Sequence, residues 1–404
     1  MLLAAGGGVA AAGIDRLGSD VERVNQGMGR GSVAKVATES PRPGKKPRPG
    51  ASPTSSPSAT PTAAPTTAPP VSGTDVRIPI PGYEAGFFSG DVLIDAARDR
   101  VYVTAGKYTK DVMATDLDGG NPRKIGEVDG AAGMVLSPDG GTLYIAASAG
   151  SWVATIDTTT FEAGGYWIGK TDGTNTCPRD VAVAAGQLWV AWGCDNAPAG
   201  IGRIDPVTKE YELNVTVGDG TVRNLVSKPA LLATVPGQPN VLIAGQTDSL
   251  PAPLYRFEIS DNLLVMKAVG STDGGSVDQL AVTPDGNEII VPAGAPYYHQ
   301  VFRTSDLMRV GTYQTTSYPN AAAIRSDGLV VAGTDSAYDK DVWVFEPGGT
   351  DPIATYEFGH LPNQSTWAYT LVDGGLAVHG NRFYAITDQL SEPDMVTLRI
   401  RDLP

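Results

Sequence analysis

Leu280-Ala-Val-Thr-Pro-Asp-Gly-Asn-Glu-Ile-Ile-Val291 sets two short apolar runs on either side of a Pro-Asp-Gly turn. Proline presets φ at one corner of such a turn and glycine accepts positive φ at another, so the stretch reads as a tight hairpin. Met134-Val-Leu-Ser-Pro-Asp-Gly-Gly-Thr-Leu-Tyr-Ile145 repeats it. Looser copies begin at Val92, Val181, Leu232, Ala322 and Leu376, giving seven starts spaced by 42, 47, 51, 48, 42 and 54 residues. Each hairpin is followed by a third apolar run and usually a fourth: Asp111–Asp116 and Arg123–Val128 after the first, Asp341–Glu346 and Ile353–Phe358 after the sixth. Four strands in a repeat of about 40–50 residues is the pattern of a propeller blade. The expected fold is all-β, a seven-bladed β-propeller.

The ring needs a closing strand. The seventh copy supplies a hairpin, Leu376–Val378 with Phe383–Ile386, and a third strand, Met395–Ile400, and the chain stops at Pro404. A three-stranded blade leaves an unpaired edge. The unused alternating run is Asp75-Val-Arg-Ile-Pro-Ile-Pro81. Val76–Ile80 is therefore expected to pair beside Met395–Ile400 as the outer strand of the last blade, its prolines suiting an edge. The domain then spans 74–404. The competing reading is a six-bladed ring with Thr74–Asp91 as a loop.

Upstream the texture differs. From Ala37 to Pro70 there is no Val, Ile, Leu, Met, Phe, Tyr or Trp, and proline recurs every four residues from Pro49 to Pro69. Such a stretch has nothing to bury and favours extended polyproline II. Residues 1–73 are thus expected to be a disordered leader and a Pro/Thr/Ser-rich stalk. Met1–Ile14 is small and apolar but has no basic residues before its apolar run, which fits the truncated end of an export or membrane segment, or a plain leader. No run of about 18 apolar residues spans a membrane elsewhere. The whole chain carries a net charge of −14, yet residues 1–72 hold eight basic and four acidic residues, leaving −18 on the rest. An acidic globular part repels phosphate, so nucleic acid is not an expected partner.

Cys177 and Cys194 are the only cysteines. The third copy turns at Ala185-Gly186, where paired positions add to 371, as Val183 with Leu188 do; 177 and 194 add to the same value. The two are expected to lie directly across the ladder, close enough for a disulfide, which an oxidising compartment would form.

Leu136-Ser-Pro-Asp-Gly-Gly-Thr-Leu-Tyr-Ile145, Val282-Thr-Pro-Asp-Gly286 and Asp116-Leu-Asp-Gly-Gly-Asn-Pro-Arg-Lys124 resemble YVTN-type and TolB-type propeller repeats over roughly residues 74–404. Composition also resembles that of secreted or wall-associated actinobacterial proteins. The resemblance implies a ligand site at one mouth of the channel, built from loops leading into each innermost strand and loops joining second and third strands. Two residues before each repeat start stand Gly90, Ala132, Arg179, Ala230, Asp278, Asn320 and Gly374. Only Asp278 and Asn320 suit a metal. His299, His360 and His379 fall in different repeats without a zinc-binding spacing, and Asp116-Leu-Asp-Gly-Gly-Asn121 reads as turn chemistry rather than a calcium loop. No cofactor, metal or catalytic residue is assigned. The aromatics Tyr297, Tyr298, Tyr318, Tyr338 and Trp367, with His299, Arg179, Asp278 and Asn320, form the candidate rim. Aromatics with polar tips suit partner surfaces, though they also serve to pack loops.

The leading functional expectation is a monomeric, non-catalytic binding module, extracellular or associated with the cell envelope, held on a flexible stalk. Its partner would be a protein, a peptide or a cell-wall glycan, with membrane contact only through the N-terminal segment. The alternatives are a lactonase- or lyase-like propeller enzyme acting on a small molecule, and a sensor domain separated from its signalling half.

Overall fold

The computed structural model describes residues 73–404 apart from 87, 171, 195–197, 216–227, 317, 337–338 and 360–368. Residues 1–72 of the expected leader and stalk, and with them Tyr338, Trp367 and His360, lie outside the described residues, whereas Gly73 belongs to a strand. Among these residues the strands form seven four-stranded antiparallel sheets, and the regular helix is a single 3-10 turn, Ala96–Arg98. The innermost strands are Val92–Asp95, Ala131–Leu136, Pro178–Ala184, Ala230–Val235, Ala281–Val282, Pro319–Ile324 and Thr370–His379, one for each repeat start. Each touches its neighbour in sequence order, and the seventh touches the first. The chain is a closed seven-bladed β-propeller.

Why the ring needs every blade follows from the burial. Among the described residues the core consists of seven apolar clusters, each at one junction between adjacent sheets. Leu143 and Ile145, for instance, join Tyr102 and Val112 of blade 1, while Tyr144 and Ala146 join Val181 and Leu188 of blade 3. Alternate residues of one strand thus pack in opposite directions, so a blade is apolar on both faces and satisfied only between two others. The hairpin turns pack as well. Gly286 has φ +71°, and a Cβ there would fall 2.4 Å from the Pro236 carbonyl oxygen of the preceding blade. A side chain is thus barred both by the backbone conformation and by the neighbour.

The closing strand pairs with the expected partner, but it starts three residues earlier, at Gly73, and ends at Pro79, one residue short of Ile80. Gly73–Pro79 pairs antiparallel with Met395–Asp402, from Gly73 opposite Arg401 to Pro79 opposite Met395. Val76, Ile78 and Ile80 enter the cluster between blades 7 and 1. The ladder is reinforced by Asp75, whose two carboxylate oxygens meet Arg399 at 2.6 Å and Arg401 at 2.8 Å.

Cys177 and Cys194 form a disulfide with Cα atoms 5.1 Å apart, but the register behind the expectation needs correction. Val183 does face Leu188, yet the pairing shifts between Pro178 and Asp180, and Pro178 faces Trp192. The Cys177 carbonyl accepts from the Gly193 N–H at 3.2 Å. One extra residue at Arg179 bulges the strand, so Cys194 stands one position beyond the direct partner of Cys177 and still within bridging reach.

Candidate functional site: the channel and its loop-bearing mouth

Inside the innermost strands lies a cavity of about 480 Å³. Asp91, Asp180 and Gln279 line it, each standing one residue before a repeat start, in blades 1, 3 and 5. Each also reaches the next blade. Asp91 accepts from the Val92 N–H at 2.8 Å and the Met134 N–H of blade 2 at 3.0 Å. Asp180 accepts from the Val181 N–H at 2.8 Å and the Leu232 N–H of blade 4 at 2.7 Å. Gln279 accepts from the Ala322 N–H of blade 6 at 2.7 Å and donates to the Leu376 carbonyl of blade 7 at 3.2 Å. These side chains act as staples between inner strands. Desolvation pushes the Asp91 carboxyl up to about 6 and that of Asp180 up to about 7, against the opposing pull of the same N–H bonds. The offset had a visible signal, since an Asp stands immediately before the first and third copies, but the positions read from sequence were one residue too early.

The mouth formed by the strand-leading loops is acidic. Arg179, Asp248, Asp278 and Asp373 line it. Burial raises Asp278 and Asp373 well above the ordinary carboxylate range; for Asp278 the neighbouring Asp373 charge adds to the rise and Arg179 opposes it. The two carboxyls titrate as a unit. Nearby Asp335 is pushed up to about 6 by burial and by the charges of Asp373 and Asp388. Asp373 was missed because the ladder slips between Leu371 and Leu376, and that bulge delivers Asp373 to the channel.

Two of the expected rim aromatics meet. Tyr297, in the second-to-third-strand loop of blade 5, and Tyr318, in the loop leading into blade 6, are 52% and 53% exposed. Their ring centroids are 5.6 Å apart at 73°, an edge-to-face pair. The Gly294 N–H donates to the Pro319 carbonyl at 2.7 Å, tying the two loops together. Tyr298 is half-buried and donates to Asp273 at 2.7 Å, the carboxylate that also pairs with Arg309 at 3.0 Å.

Two expectations are corrected. His299 is fully buried, its Nε2 2.9 Å from the Ala321 carbonyl. It follows Tyr298 in the strand Tyr298–Arg303, so alternation turns it inward; burial pushes it down to about 4, where it is neutral. Asn320 is buried in the wall rather than on the rim, donating to the Leu371 carbonyl at 2.7 Å, because the ladder shifts between Pro319 and Ala321. The Asp116–Asn121 oxygens serve the turn itself: Asn121 donates to Asp116 at 2.6 Å and the Gly120 N–H to Asp118 at 2.9 Å. No group of three metal-ligating side chains occurs among the described residues.

No family model matches the sequence, and no curated protein matches it. Solved structures do. The β-propeller domain of Cps50 (Swd1) from Myceliophteria thermophila aligns with a TM-score of 0.57 at 14% identity, over 80% of this chain and 99% of that one. A chain of the mitotic checkpoint complex aligns with a TM-score of 0.59 at 13% identity, over 85% and 98%. At such identities the likeness is one of fold, and it places this chain among the β-propellers.

Proposed function

We propose that this propeller is a non-catalytic interaction module of the YVTN/TolB-like kind that works outside the cytoplasm, carried on the proline-rich segment as a stalk. A protein or peptide partner would dock at the loop-bearing mouth. The observation that carries the reading is the exposed Tyr297–Tyr318 pair, fixed between two blades beside the acidic mouth. Paired tyrosines offer large rigid contact area with few rotors to immobilise. Burial raises the carboxyls of Asp278 and Asp373, and an arriving cation would favour their charged forms, so the partner should present Lys or Arg to them. One similar chain belongs to the mitotic checkpoint complex, a multi-protein setting in keeping with this use of the fold. The disulfide and the Pro/Thr/Ser-rich composition support an exported protein of the cell envelope or medium.

The test is capture of binding partners from envelope and secreted proteins on immobilised propeller. Tyr297→Ala with Tyr318→Ala should remove the captured species while stability changes by only about 1 kcal/mol, as for exposed sites. Retained capture sinks the reading. A second reading, a propeller enzyme acting on a small lactone or sugar, is favoured by the same carboxyl pair in the cavity, since a carboxyl protonated at neutral pH can act as a general acid. There the Tyr variants would keep their activity, and Asp278→Asn would lose turnover.

A further inference from the structure

The outer edge of blades 2 and 3, at the same end of the ring as the Tyr297–Tyr318 loops but on other blades, carries a second aromatic surface. Trp152 and Trp167 stand directly opposite each other on the third and fourth strands of blade 2. Each is 49% exposed, whereas Trp189 and Trp192 are buried. The buried pair spend their indole N–H groups on the Ala184 and Leu213 carbonyls, at 3.1 and 2.6 Å. Trp152 and Trp167 donate to none of the described residues.

Glycines set the posture of these rings. A Cβ on Gly169 would come 2.0 Å from Cζ2 of Trp167, and one on Gly165 would come 3.3 Å from Cε3 of Trp152. Both indoles therefore lie against bare backbone and remain half exposed. Tyr211 of blade 3 closes one side: its ring is 6.2 Å from that of Trp167 at 90°, and its hydroxyl donates to the Gly169 carbonyl at 3.1 Å. The result is a corner with an indole floor, a phenol wall and two N–H donors without a partner among the described residues.

We propose that this corner is a carbohydrate site that stacks a pyranose of an oligosaccharide on Trp167. A pyranose has an apolar C–H face to lay on the Trp167 indole and edge hydroxyls that can accept the in-plane N–H of the neighbouring Trp152. Three half-exposed rings offer about 300 Å², short of the roughly 800 Å² per partner that a stable protein interface needs and ample for a sugar or two. A cross-strand tryptophan pair also steadies a sheet, but that role needs neither the glycine floor nor the phenol wall.

The test titrates the full chain with two probes, cellohexaose and the N-acetylglucosamine hexamer, following tryptophan fluorescence and binding heat. At least one probe should bind saturably. Trp167→Ala should weaken that binding about tenfold or more, the equivalent of one lost aromatic contact. Gly169→Ala, which keeps every aromatic but lifts the Trp167 ring, should weaken it too. Tyr297→Ala with Tyr318→Ala should bind sugar as the unaltered chain does, which separates this site from the proposed partner face. The proposal is overturned if neither probe binds, or if a folded Trp167→Ala or Gly169→Ala binds as tightly as the parent.

Discussion

A chain that begins at Gly82 should lose cooperative unfolding, or unfold at far lower denaturant than one that begins at Ser72. The shorter chain lacks the whole outer strand of blade 7, from Gly73 to Pro79. It also lacks Val76, Ile78 and Ile80, all buried between blades 7 and 1. At about 1.5–3 kcal/mol per buried aliphatic side chain, their loss alone approaches the 5–15 kcal/mol or so that holds a typical domain together. Removing Asp75 adds to the damage, because the Arg399 side chain is only 8% exposed and would keep its charge without that partner. A buried cation stripped of its carboxylate is strongly destabilising. The strand that follows would present an open edge as well, so aggregation should accompany the loss. Urea unfolding of the two chains checks this; equal midpoints and equal slopes would contradict the closure described above.

Acidification from pH 8 to about 5 should raise the thermal midpoint by several degrees. Burial raises the folded-state carboxyls of Asp91 and Asp335 to about 6, of Asp180 to about 7 and of Asp341 to about 8, and it raises Asp278 and Asp373 as well. An unfolded aspartate titrates near 3.9. Between those values the folded chain holds more protons than the unfolded one, so stability is greatest at low pH and is lost as pH rises through the folded values. His299 opposes this, because it is neutral when folded down to about 4 and takes a proton more readily when unfolded; it is one group against six. Below about pH 4 the trend reverses, as Asp139, Asp157, Asp205, Asp285 and Asp327 are held low by hydrogen bonds in the folded state and must then be protonated. Scanning calorimetry across pH 4–8 measures the curve. A midpoint that stays flat or falls from pH 8 to pH 5 would show that these buried carboxyls are not raised in the fold.

The repeat starts were legible because turn chemistry is local: Pro-Asp-Gly with flanking apolar runs reports a hairpin whatever surrounds it. The closing strand was legible for a different reason, since one blade lacked an edge and one alternating run lacked a partner. The paired cysteines survived an error in register because a disulfide tolerates a one-residue offset. Site residues fared worse, and each miss traces to a bulge or an alternation. Asn320 and Asp373 sit at ladder shifts, which invert inside and outside without a mark in the sequence. His299 was grouped with Tyr297 by proximity along the chain, although neighbours on a strand point opposite ways. Asp91, Asp180 and Gln279 face the channel because alternation turns the residue just before each hairpin inward, one residue nearer the hairpin than the mouth positions Gly90, Arg179 and Asp278.

Site-specific photo-crosslinking tests most directly whether the loop-bearing mouth is the partner face. A photoreactive phenylalanine analogue is placed at position 297, beside Tyr318, or at position 285, in the Pro-Asp-Gly turn at the opposite end of the same blade. Each protein is irradiated with envelope and secreted proteins of its own cells. The account predicts a discrete crosslinked product from position 297 and none from position 285. A product from 285 with none from 297 would contradict it.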